Sequence, residues 1–215
     1  MSSVSSNINS LGTLPKSIAA RKPLLCGNRA FIDFTNSSYC PTGTTDPLSD
    51  WRGFLHFLVM TQAITRDRAR ELVGYEYSQV HDVLAIAKTV REQLTTISEH
   101  IAEYAAVPDG ATSFVNDILE FEDGGFRLSK TGQDFTLGFA AATPSPHQGL
   151  TALAHSFAGF VCNDKLSRFR SCANPNCPLY FYDISKNGRR RWCRMEVCGN
   201  RAKAADHYHR SRQPT

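Results

Sequence analysis

The strongest periodicity in the chain runs from Val80 to Tyr104, where Val80, Val83, Leu84, Ala87, Val90, Leu94, Ile97, Ile101 and Tyr104 recur at three- and four-residue steps. That spacing lays a broad apolar stripe along roughly seven helical turns, with Ser78 placed to cap the N-terminus. Earlier in the chain, Asp50 can cap a helix from Trp51 to Ala63, and Thr65 a second helix through Leu72. Ser113 to Phe121 predicts a shorter helix, and Gly149 to Asn163 another apolar one. Between them, Phe126-Arg127-Leu128 and Phe135-Thr136-Leu137, joined across Lys130-Thr131-Gly132-Gln133, predict a β-hairpin. The run Arg29 to Asn36 is apolar and β-prone and fits either a short strand or a first helical turn. The pattern predicts a mostly α fold with a small β-hairpin. It divides into a Ser- and Asn-rich flexible leader (1–23), a helical domain (24–166) and a small C-terminal module (167–215), with no long linker before the last.

Charge sharpens that division. The net charge of +4 is unevenly spread: residues 171–215 carry nine Lys or Arg against three acids, so the rest of the chain is mildly acidic. Clustered cations bind polyanions through counterion release, whereas a mixed surface does not. No run is long and apolar enough for a membrane span, and the N-terminus lacks the pattern of a secretory signal, so a soluble, cytoplasmic protein is expected.

Seven cysteines are present, of which Cys26, Cys40 and Cys162 are scattered. Cys172, Cys177, Cys193 and Cys198 instead form C-x4-C-x15-C-x4-C. Two equally spaced pairs supply the four thiolates of a tetrahedral structural zinc site, and in a reducing compartment two disulfides are the poorer reading. Pro175, flanked by Asn174 and Asn176, favours the tight turn that the first pair needs. Between the pairs, Tyr180 to Asp183 fits a short strand. A site closed by four thiolates has no open position for an activated water, so Zn2+ would be structural. Cations flank the clip at Lys186, Arg189, Arg190, Arg191 and Arg194, and again at Arg201, Lys203, Arg210 and Arg212, the second group on a helix from Gly199 to Arg212. Arginine forks suit phosphate and base edges. Trp192 fits best packed under the zinc knuckle.

The stretches Arg168 to Cys177, Tyr180 to Ser185, Arg189 to Met195 and Cys198-Gly199-Asn200-Arg201-Ala202-Lys203 together resemble the CGNR zinc-finger family. In that family the finger follows an N-terminal helical ABATE domain, which opens with a segment like Phe31 to Asn36 here. Phe34-Thr35-Asn36-Ser37 departs from the more usual Phe-Val-Asn-Thr type. The resemblance implies a bacterial transcription regulator whose finger binds double-stranded DNA and whose larger domain senses a small-molecule effector; a homodimer is the usual arrangement for regulators that read palindromes, although no coiled-coil seam announces one. It also makes Asp33, Asn36 and Arg91 candidates for a ligand site, against the plainer roles of a helix cap for Asp33 and an ion pair for Arg91. The tetrapeptide Cys26-Gly27-Asn28-Arg29 repeats the family signature at the wrong end, without a partner cysteine at suitable spacing, and is expected to be coincidental.

No nucleophile elbow, phosphate loop or His-Glu metal motif occurs, so no enzyme is expected. An RNA- or protein-binding zinc-ribbon adaptor is the alternative to a DNA-binding regulator.

Overall fold

A computed structural model describes residues 23–41, 43–121, 124–131 and 134–211, and the predicted leader falls almost wholly outside them. The ambiguous run near the start is a helix, α1 (Ala30–Asn36), with Phe31 to Asn36 all buried. Its β-prone residues adopt helix because both of its faces are covered, and tertiary burial overrides propensity. Phe31 lies 5.2 Å, ring to ring, from both Phe157 and Phe160, and Phe34 packs on Phe54 and Phe57.

Helices α2 (Trp51–Met60) and α3 (Arg66–Leu72) start at the predicted caps, with the Asp50 carboxylate accepting from Gly53 N and the Thr65 hydroxyl from Arg68 N. The first of them stops three residues short of Ala63. Thr61 hydrogen-bonds back to Phe57, and Gln62 turns to φ +60°, which ends the helical ladder. The indole of Trp51 donates to Leu72 O at 2.9 Å and ties the two helices together.

The long helix α4 spans Tyr77–Tyr104. Its stripe is buried from Val80 to Ile101 except at Leu84, which is half-buried, and Tyr104 is exposed, one turn beyond the packed surface. Its cap is Glu76 rather than Ser78: the Glu76 side chain and Gln79 close a reciprocal capping box. Helix α5 runs Ala111–Leu119, two residues earlier than expected, from a Gly110 in left-handed conformation. Strands β1 (Gly124–Thr131) and β2 (Asp134–Ala141) form the antiparallel hairpin with Leu128 opposite Leu137; Gly132 and Gln133 lie outside the described residues. Helix α6 (Gln148–Asn163) buries Leu150, Leu153, Ala154, Phe157 and Phe160 against α1 and α5.

After α6 the chain makes one 3-10 turn and enters the C-terminal module: β3 (Phe169–Ser171), β4 (Tyr180–Tyr182), a single π turn at Met195–Gly199 and α7 (Asn200–Ser211). Sequence reading anticipated β4 but not its three-residue partner β3. Phe169 and Tyr182 belong to the same apolar core as the helices, so the module continues the body rather than hanging from it.

The crossing of α6 over α2 depends on Gly149. A Cβ there would sit 2.6 Å from Leu58 Cδ1 and 2.8 Å from the Phe54 ring, both fully buried. Gly149→Ala should therefore lower stability by about 1–3 kcal/mol although alanine is the better helix former; an unchanged or raised melting temperature would show that the two helices are not in close contact.

Candidate metal centre and basic surface

The four cysteines of the C-terminal pattern converge. Their Sγ atoms all lie within 4.8 Å of one another, with Cys177 and Cys198 each 3.7 Å from Cys193. A tetrahedron with metal–sulfur arms of about 2.3 Å has edges of about 3.8 Å, so the cluster fits a metal ion of that size. Two knuckles present the sulfurs. In the first, Cys177 N donates to Asn174 O, and the Asn174 side chain accepts from Asn176 N. In the second, Cys198 N donates to Arg194 O. Cys172 N bonds to Leu179 O across the base of the first knuckle, and Ala173 N bonds to Arg191 O, which laces the two together.

The sulfurs also collect donors suited to thiolates: Cys193 N reaches Cys172 Sγ at 3.4 Å, and the Asn174 amide reaches Cys198 Sγ at 3.4 Å. Crowding still opposes ionisation. Burial pushes the Cys172 and Cys177 thiols up, and a hydrogen bond with Cys26 plus burial pushes Cys193 up. At Cys198 burial is outweighed by the Asn174 amide and the neighbouring thiols, and its pKa falls. A divalent cation reverses this balance, because it deprotonates the thiols it binds.

Cys26 was not expected here. It is buried in the same small cluster as Cys172, Cys193 and Cys198, and its three followers are as fully engaged. Gly27 O accepts from Tyr182 N, the Asn28 amide donates to Tyr182 O, and Arg29 pairs with Asp164 at 2.6 Å while lying over the Tyr182 ring. A Cβ on Gly27 would come within 2.7 Å of Ile32, so this approach requires glycine. The tetrapeptide expected to be coincidental is a structural joint.

The predicted ligand residues serve the same joint or another. Asn36 presents both amide atoms to β4, accepting from Tyr180 N at 2.9 Å and donating to Tyr180 O at 2.8 Å, as a neighbouring strand would. Asp33 accepts from Cys26 N and Gly27 N at 2.8 and 2.7 Å. Burial raises its pKa to about 6 against those two bonds and the Arg190 charge, which lower it. Arg91 makes a two-pronged pair with Asp46 at 2.7 and 2.9 Å and donates to Ser37. The cavity beside Asp33 and Ser37 holds about 10 Å³, room for roughly one water. The three polar groups are thus occupied by protein partners.

The cations divide. Arg190 is folded inward: Nε donates to Trp192 O at 3.0 Å, Nη2 donates to Cys26 O at 3.1 Å and to Cys193 O, and the guanidinium lies 4.2 Å over the Phe181 ring. Its backbone N–H donates to Asp183, a fully buried carboxylate that also accepts from Ser185 N. Burial alone would raise the Asp183 pKa, but the Ser185 and Arg190 hydrogen bonds and the Arg170 charge outweigh it and hold the pKa low. Lys186, Arg189, Arg191, Arg194, Arg201 and Lys203 are exposed. Among the described residues, Arg194 alone of these has an ion pair, with Glu196 at 3.9 Å. The Arg191 guanidinium stacks over Trp192, which packs against the cysteine cluster. Nothing is described of the Arg210 side chain, and Arg212 lies outside the described residues.

These features define a class: a helical domain whose core runs directly into a four-cysteine finger with an exposed basic rim. Residues 28–164 match the family model described as "Putative stress-induced transcription regulator" (ABATE), and residues 168–211 match the CGNR zinc finger. The chain belongs to the ABATE family, with a CGNR zinc finger as its C-terminal part. No curated protein matches it.

Asn36→Ala removes both bonds to Tyr180 and should cost about 2 kcal/mol, with faster hydrogen exchange at the Tyr180 amide; exchange at the wild-type rate would contradict the joint. Asp33 gives a pH signature. A carboxyl whose folded pKa is raised contributes most when protonated, so its contribution is lost as pH rises through about 6. The stability of wild type relative to Asp33→Asn should fall across that range, and a pH-independent difference would show that Asp33 is not desolvated.

Proposed function

We propose that this protein is a DNA-binding transcription regulator in which Zn2+, held by Cys172, Cys177, Cys193 and Cys198, shapes a finger whose exposed cations grip the duplex. The observation that carries this reading is the sorting of the cations. The inward arginine braces the knuckles, while Lys186, Arg189, Arg191, Arg194, Arg201 and Lys203 remain at the surface of the module that carries the chain's charge excess. Phosphate contacts by such side chains fix position and orientation, and α7, following directly on the second knuckle, is the element that the metal would orient toward a groove. Arg210, on the last turn of α7, and Arg212 just beyond it extend the same basic run.

Four thiolates close the metal's coordination, so its contribution is folding energy and not catalysis. A regulator working on DNA belongs in the cytoplasm, and no described helix is long and apolar enough to cross a membrane. Effector sensing through Asp33, Asn36 and Arg91 gains no support from their positions, since their polar atoms are already paired within the chain.

The test is binding to genomic duplex fragments across a salt series. Each phosphate contact contributes about 0.9 to the slope of log affinity against log salt, so Arg189→Ala/Arg191→Ala should flatten that slope by about 2. Arg190→Ala should instead loosen the finger, seen as a red shift of Trp192 emission. Salt-independent binding, or preference for structured RNA over duplex in competition, would overturn the assignment to DNA.

A further inference from the structure

Cys26 is a thiol that the four-ligand site does not use, yet it is buried within the same cluster and contributed by the other part of the chain. Its surroundings fix it in place beside Cys193. The Asn36 amide donates to Cys26 Sγ at 3.6 Å. A single Arg190 nitrogen donates to the carbonyls of both Cys26 and Cys193, so the two backbones are clamped by one guanidinium. Both side chains are buried in one small cluster, Cys26 at 7% and Cys193 at 2% exposure. By contrast, Cys40 and Cys162, the other cysteines outside the site, are exposed and lie outside this cluster.

We propose that Cys26 and Cys193 form a reversible disulfide when the protein meets a peroxide, so that Cys26 acts as a resolving thiol built into the joint between body and finger. Peroxide transfers one oxygen to the Cys193 sulfur, giving a sulfenic acid and hydroxide as the O–O bond breaks. The Cys26 sulfur then attacks that sulfur and water departs. Two electrons leave the sulfur pair, the hydroxide takes a proton from solvent so that the peroxide ends as two waters, and one S–S bond forms. Cys193 is lost as a metal ligand in the step, so the clip opens while its second knuckle becomes covalently tied to the loop before α1. A non-ligand thiol is the natural resolver, because the other three sulfurs near Cys193 are committed to the metal. The proposal rests on reading the four cysteines as ligands.

The test uses the metal-loaded full-length protein, treated with hydrogen peroxide in the presence of a chromophoric zinc chelator, alkylated and mapped by peptide mass spectrometry. The expected result is a Cys26–Cys193 cross-linked peptide as the main disulfide, with release of the metal and reversal by a dithiol plus zinc. Cys26→Ser, with Cys26→Ala as a second variant should the first fold poorly, should lose that peptide and release metal several-fold more slowly. Disulfides confined to Cys172, Cys177, Cys193 and Cys198, with Cys26 recovered alkylated, would overturn the proposal, as would equal release by wild type and both variants. A protein that takes up no zinc at all would overturn the ligand reading and the proposal with it, whereas zinc-loaded protein without the cross-link counts against Cys26 alone.

Discussion

The outer edge of β4 is the constraint on which the rest depends. A three-residue strand paired on one side only with another three-residue strand cannot persist in water, since a lone two-stranded ribbon is marginal even when longer. Here the Leu179, Phe181 and Asp183 positions pair toward β3 and the residues on either side of it, Cys172 and Arg168. The Tyr180 and Tyr182 positions face the start of the chain, where the Asn36 amide and the Gly27 carbonyl complete them. The backbone of β4 is therefore satisfied only when residues more than 140 positions earlier are in place. Because Asn36 sits on α1, whose phenylalanines anchor α2 and α6, the finger and the helical core share one helix.

That sharing explains how the arginines divide. A knuckle pressed against the body leaves carbonyls of Cys26, Trp192 and Cys193 turned inward, and a buried carbonyl without a donor is costly. Arg190 supplies several donors from one side chain and stacks on Phe181, while buried Asp183 orders the loop leading into it. Charge is thus used twice in the same short run: inward to hold the module together, outward to present it.

What the sequence made legible was local. The stripe of α4, the caps at Asp50 and Thr65, the hairpin and the spacing of the four cysteines all follow from patterns within a few turns or one loop. What escaped were contacts between distant segments. Cys26 has no partner at ligand spacing, and nothing near it in the chain signals that Cys193 lies alongside. Asn36 and Asp33 are ligand candidates through the family resemblance, and the backbone partners that occupy them lie in segments the sequence does not connect to them. Arg190 is identical in type to Arg189 and Arg191, and only the fold separates them. The α1 segment stayed ambiguous for the same reason, since its helix is imposed by burial on both faces. The Glu76 cap was masked by Ser78, a residue that competes for the same position by propensity.

The chain's two tryptophans fall one on each side of the joint, Trp51 in the helical core and Trp192 against the cysteine cluster. Denaturant unfolding of the metal-loaded protein, followed by fluorescence in Trp51→Phe and Trp192→Phe variants, therefore reports each part separately. If finger and body are one cooperative unit, each variant's tryptophan signal should share its midpoint with the far-ultraviolet dichroism of the same variant. A Trp192 transition well separated from the loss of helix would contradict the shared joint and make the finger an independent module.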